Sequence, residues 1–155
     1  MPLLRSTDGA LISAQASLYG HASHGAASEG ARPATIVRPL SCAPLPDVPG
    51  RSMTTVLVEF PPGAYSAAHR HPGSVTAVVL SGTVRSQMAG GPPQDFAKGQ
   101  AWFEPALALH VFAENPSPIE PASLLATFVT DVGCTTLVIP EHRASSPLTT
   151  RKPLP

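Results

Sequence analysis

The chain has 155 residues, 43% of them hydrophobic and 13% charged, and its ten basic and ten acidic side chains balance. That length fits one domain with a sizeable core, and the lack of a basic stripe or charged tail argues against nucleic acid as a partner. Nineteen prolines and twelve glycines leave few windows long enough for a helix, which points to an all-β fold rich in turns.

Residues 1–35 are rich in Ala, Ser and Gly, with Leu11, Ile12, Leu18 and Tyr19 as their apolar handles. They read as an arm, flexible or draped over a partner subunit. His21 and His24 lie between Gly20 and Gly25, which discourage a helix, and read as surface histidines. A β domain is expected over residues 36–142. Met53 to Phe60 alternates, with Val56, Val58 and Phe60 on one face, and Pro61-Pro62-Gly63 then turns the chain. His69 and His71 follow in an extended run. Residues two apart on a strand share a face, and two imidazoles on one face can grip one metal ion. Val75 to Leu80 is an apolar strand ended by Gly82, and Thr83 to Met88 is its hairpin partner. Val84, Ser86 and Met88 are the expected inner set of that partner, while Arg85 and Gln87 are kept as candidate substrate contacts. Ala101 to Glu104 and Leu109 to Ala113 form a second hairpin around Pro105 and bring in His110. Leu124 to Thr130 and Thr135 to Ile139 are two further strands, and residues 143–155 are a polar tail. Eight or more short strands in so small a domain suggest a jelly roll or related barrel.

Cys42 and Cys134 fit no metal-ligand spacing and read as two buried free thiols, with one disulfide left open. No run approaches the roughly 18 apolar residues of a membrane span, and the N-terminus lacks an apolar signal core, so the expected location is the cytoplasm, away from membranes. Near-zero net charge with few surface charges favours self-association, and a homodimer is expected.

Gly63, His69, His71 and Gly82 stand in the pattern glycine, five residues, His-x-His, ten residues, glycine. Gly99, Pro105 and His110 stand in the pattern glycine, five residues, proline, four residues, histidine, with Asn115 beyond. Together they resemble the two motifs of the cupin superfamily, over roughly residues 36–140. The resemblance implies a cupin jelly-roll β-barrel of the small single-domain kind. It also implies that His69, His71 and His110 hold a divalent metal ion, whose identity (Fe, Zn, Ni, Mn or Cu) stays open. Three departures stand out. The glutamate position of the first motif is Val75, the inner glycine of the second is Leu107, and Asn115 falls one or two places late. Without the glutamate, three neutral imidazoles would leave a dication its full double charge, and so a stronger Lewis acid.

Glu104 stands where cupins usually carry an aliphatic residue. With regular alternation it shares a face with Trp102. It could replace the missing ligand, act as a general base with its pKa raised by burial, or be a strand-end glutamate bonded to a turn amide or an arginine. Tyr65, Val75, Arg85, Gln87, Trp102 and Phe112 are the candidate pocket residues. Low charge and apolar strands imply a small, mainly apolar or aromatic, chelating substrate. The leading reading is a metal-dependent enzyme of dioxygenase type, a class common in the superfamily. The alternatives are a non-redox isomerase, cyclase or lyase that stabilises an enolate, on a polyketide-like metabolite for example, and a non-catalytic small-molecule-binding cupin.

Overall fold

The computed structural model describes residues 31–134 and 136–141. Most of the expected arm, with His21 and His24, and the 143–155 tail lie outside the described residues.

The described residues form eleven β-strands and no helix: β1 (Ile36–Pro44), β2 (Arg51–Phe60), β3 (Tyr65–Ser66), β4 (His69–Arg70), β5 (Ser74–Ser81), β6 (Thr83–Met88), β7 (Gln94–Ala97), β8 (Ala101–Glu104), β9 (His110–Glu114), β10 (Ala122–Asp131) and β11 (Ile139–Pro140). They make two antiparallel sheets. One has the order β1-β2-β10-β5-β8, the other the order β11-β4-β9-β6-β7 with β3 also on β9. This is a jelly-roll barrel.

Period-2 burial decides which face of each strand turns inward. On β10, Ala122, Leu124, Ala126, Phe128 and Thr130 are buried while the residues between them are half-buried. Val56 and Phe60 of β2, Val75, Ala77 and Val79 of β5, and Val84 of β6 complete the core. The second sheet contributes a less apolar inner face, with Ser86, His110 and Ala113 buried. The β6–β9 register slips between Gln87 and Met88, so that Phe112 pairs with Gln87 but His110 pairs with Met88. Val111 is thereby the extra residue of a bulge, and His110 and Ala113 both point inward although three apart. A bulge of this kind re-aims a side chain at a site.

Gly73 joins β4 to β5 under the edge of β10. A β-carbon there would lie 1.9 Å from the Val129 carbonyl oxygen, so only glycine lets the histidine-bearing segment pass so close to its neighbour.

Four expectations are corrected. Neither expected hairpin forms, since β5 and β6 lie in different sheets, as do β8 and β9. Cys42 and Cys134 are not free thiols but a disulfide, with Cα atoms 6.2 Å apart across 92 residues of sequence. It ties β1 to the segment after β10. Among the described residues of that segment, Thr136 to Val138 are not strand and only Ile139 and Pro140 pair, with β4, because the Leu137 carbonyl is turned aside towards His71. Finally, Gln94–Ala97 is a strand (β7) that polar composition after two prolines did not suggest.

Candidate metal centre

His69 opens β4 and His110 opens β9, and the two are direct partners in the antiparallel ladder. Facing partners project on one side of a sheet. His71, two residues on from His69, joins them, and all three side chains are buried. Ring centroids lie 4.7 Å (His69–His71), 4.8 Å (His69–His110) and 6.5 Å (His71–His110) apart.

One nitrogen of each ring is fixed from outside the cluster. His69 donates from Nδ1 to the Ala67 carbonyl at 2.6 Å, His71 donates from Nδ1 to the Leu137 carbonyl, and His110 Nε2 is hydrogen-bonded to Ser86 Oγ at 2.8 Å. Such outer partners set the tautomer and aim the free nitrogen at a metal. The free nitrogens are then Nε2 of His69, Nε2 of His71 and Nδ1 of His110, and one ligating atom from each ring lies within 4.8 Å of the others.

The residues present fit a divalent cation. With both Nδ1 atoms committed as donors, His69 Nε2 and His71 Nε2 meet as two lone pairs 3.1 Å apart. Burial holds the His69 imidazole below its ordinary value near 6.5, outweighing the Ala67 carbonyl, and His110 and His71 push the same way, so the surroundings work against a proton on that ring. His110 Nδ1 and Glu104 Oε2 are buried without a hydrogen-bond partner. Orphaned buried polar atoms of this kind call for an ion or water. Ligand atoms about 2.1 Å from one ion lie about 3.0 Å apart at right angles and about 3.4 Å apart at tetrahedral angles, which brackets the His69–His71 spacing.

Glu104 ends β8 and is buried. The Trp102 indole N–H donates to its Oε1 at 2.8 Å. Its Oε2 lies 3.4 Å from His71 Nε2 and 3.3 Å from His110 Nδ1. Burial alone would raise this carboxyl, as the sequence suggested. The His110 imidazole, the Trp102 indole and His71 together outweigh burial, and the net shift is downward from 4.5. These neighbours favour the carboxylate over the neutral acid that burial alone would favour. Val75, the vacated glutamate position, faces Glu104 directly across the β5–β8 ladder.

The cluster forms the polar end of a cavity of about 110 Å³, whose remaining wall is mainly apolar and includes Val56, Val58, Phe60, Leu124 and Phe128. Of the candidate pocket residues, Val75 and Trp102 line it. The other four are corrected: Tyr65, Arg85, Gln87 and Phe112 lie outside. Tyr65 stacks on Phe112 with centroids 5.9 Å apart. Arg85 is bound to Asp95 at 2.6 Å, and Gln87 donates to the Gly91 carbonyl at 2.9 Å. All four sit in outward phase on their strands, where apolar or long side chains are satisfied by neighbours and not by a ligand. Ser86 and the Leu137 carbonyl went unassigned in the sequence. Ser86 carried a signal, a hydroxyl in an otherwise inward apolar set; a backbone carbonyl carries none.

The profile of the family described as Cupin domain matches residues 56–128. No curated protein matches the sequence. Among solved structures, a conserved protein with a double-stranded β-helix domain from Klebsiella pneumoniae subsp. pneumoniae MGH 78578 is similar at 20% identity and TM-score 0.54, over 73% of this chain and 93% of that one. A cupin-like protein from Thermotoga maritima MSB8 is similar at 26% identity and TM-score 0.50, over 63% of this chain and 69% of that one. The DMSP lyase DddQ from Ruegeria pomeroyi DSS-3 is 23% identical with a TM-score of 0.48, and the match spans 56% of this chain but only 42% of that protein. The two histidine-bearing segments and the two sheets that bring them together agree with the profile match, and residues 56–128 of the chain are a Cupin domain.

Proposed function

We propose that this cupin is a metal-dependent enzyme of dioxygenase type that acts on a small chelating molecule with an apolar or aromatic body. The observation that carries the reading is the convergence of three tautomer-fixed imidazole nitrogens in the wall of a mainly apolar cavity. A divalent cation held by His69, His71 and His110 would supply Lewis acidity there and, if redox-active, a route to dioxygen. The chain's own residues do the rest. Val56, Val58, Phe60, Leu124 and Phe128 exclude water and hold the apolar body. The Ala67 and Leu137 carbonyls and Ser86 keep the rings in their ligating orientation. Trp102 holds the Glu104 carboxylate against the polar end.

A second reading is favoured by the unpartnered Glu104 Oε2. That atom could take a proton from one carbon of an enolisable substrate and return it elsewhere, giving isomerisation, cyclisation or elimination.

The test uses protein purified without a histidine tag. Metal analysis should give close to one ion per chain, and His69→Ala should lose it with the fold intact by circular dichroism. Oxygen uptake is then followed with a panel of phenols, catechols and β-dicarbonyls. Uptake that needs both metal and a panel member supports the dioxygenase reading. Turnover without uptake supports proton transfer. Ligand binding and turnover that ignore metal removal reject the enzyme, and binding without turnover leaves a small-molecule-binding cupin.

The partner proposed for the chain itself is a second copy, supported by the wholly exposed strand β1. As to location, no helix among the described residues is long and apolar enough to cross a membrane. The cytoplasmic expectation drew part of its support from free thiols, and the disulfide withdraws that part, since disulfides persist in oxidising compartments.

A further inference from the structure

The first cupin motif has lost its carboxylate at Val75, yet the site has a carboxylate. Val75 on β5 and Glu104 on β8 are direct cross-strand partners. Opposite residues in an antiparallel pair present their side chains on the same face, with β-carbons about 5 Å apart. A long side chain from either position reaches the same point. Val75 and Glu104 are both buried, and both line the cavity that the three histidines close.

We propose that Glu104 is a fourth ligand of the metal, so that the carboxylate which the family motif places on β5 is delivered here from the opposite residue of β8. This rests on the metal-binding reading above and deepens it. Three observations carry it. Glu104 Oε2 stands 3.4 Å from His71 Nε2 and 3.3 Å from His110 Nδ1, spacings that suit two ligand atoms sharing one ion at roughly 2.1 Å each. Oε2 and His110 Nδ1 are both buried and lack any hydrogen-bond partner, although they face each other. The second oxygen, Oε1, is taken by the Trp102 indole N–H at 2.8 Å, which leaves Oε2 as the ligating atom and fixes its direction. Trp102 itself is braced against Phe96, with ring centroids 4.6 Å apart, and acts as a positioning residue.

The charge of the site changes with this assignment. Three imidazoles alone would leave the dication at plus two; with Glu104 the site carries plus one. In a cavity with an apolar wall, a single remaining charge is neutralised by a monoanionic chelator, such as an enolate, a phenolate or a lone carboxylate. A dianion would leave an uncompensated buried charge, which is strongly disfavoured. The substrate class implied is therefore an acidic enol, phenol or monocarboxylic acid with a small apolar body.

The ladder makes a direct test possible. Co(II) is titrated into metal-stripped protein, with affinity read by chelator competition and coordination by the visible ligand-field bands. Wild type should bind one equivalent. Glu104→Gln, an isosteric change that removes the charge, and Glu104→Val should each weaken binding by at least tenfold and alter the bands. The double variant Val75→Glu/Glu104→Val, which returns the carboxylate to β5, should recover most of the lost affinity. If Glu104→Gln, folded by circular dichroism, binds Co(II) with wild-type affinity and an unchanged spectrum, the ligand assignment is overturned while the metal site stands. If wild type itself takes up no metal, both fail. Should the double variant not fold, the Glu104→Gln comparison alone decides.

Discussion

Leu107 stands where the second motif has its glycine, and its backbone φ is 62°. That is the left-handed region, which costs a residue with a β-carbon roughly 1 kcal/mol or more. The turn holds it there. The Leu107 amide donates to the His71 carbonyl at 2.9 Å, and its own carbonyl accepts from Arg70 Nη1 at 2.7 Å. The side chain is 56% exposed, so packing returns little. Leu107→Gly should therefore stabilise the protein by up to about 1 kcal/mol, the relief of strain being partly offset by the greater freedom of glycine in the unfolded chain. Leu107→Ala keeps the strain and should give no gain. Urea unfolding midpoints of the two variants check this; a Gly variant no more stable than the Ala variant would show that the turn is not strained. Glycine at this position thus marks a conformation that the chain adopts anyway, which is why the motif stayed recognisable with the glycine gone.

At the scale of strands, the legible features were those that depend on period and punctuation. Alternation over Met53–Phe60 and the glycine frame around His69 and His71 located β2, β4 and β5 because a strand's two faces are written every second residue. The position of Glu104 beside Trp102 was legible for the same reason, but its protonation was not, since that depends on His71 and His110 arriving from other strands. Arg85 and Gln87 were misplaced as ligand contacts because residue type cannot show that Asp95 and Gly91 already satisfy them. Nor can a separation of 92 residues show that Cys42 meets Cys134. That staple matters to the site. It anchors the segment whose Leu137 carbonyl fixes the His71 tautomer, and both β1 and this segment edge the cavity, through Val37 and Val138. Cys42→Ser should cost about 2–4 kcal/mol in stability, as expected for opening a long loop. It should also weaken Co(II) binding severalfold, because His71 loses a fixed partner. Chemical unfolding and the Co(II) titration read the two effects separately. A variant with lowered stability but wild-type metal affinity would confine the disulfide to a structural role.

For the molecule as a whole, the unresolved account is the outer edge of the first sheet. Among the described residues β1 pairs only with β2, and all nine of its residues are exposed. Ile36, Val37 and Leu40 are 45%, 53% and 58% exposed. An apolar edge strand presents both unpaired backbone groups and greasy side chains, and chains that leave one uncovered aggregate unless a partner takes it. Pro39 and Pro44 lack backbone donors, so strand-to-strand extension along this edge is interrupted, and contact through the side chains is the better fit. In a two-fold pair the same patch serves on both copies. Val37 is also on the cavity wall, so pairing through β1 would close one side of the pocket. Light scattering coupled to size exclusion should therefore give a dimer, and Leu40→Glu should shift it towards monomer. If β1 carries the contact, deleting residues 1–30 should leave the dimer in place. Binding of an apolar dye to the cavity should rise in the Leu40→Glu monomer as the pocket mouth opens. A wild-type chain that stays monomeric at every concentration, or a Leu40→Glu dimer as tight as wild type, would remove β1 as the interface.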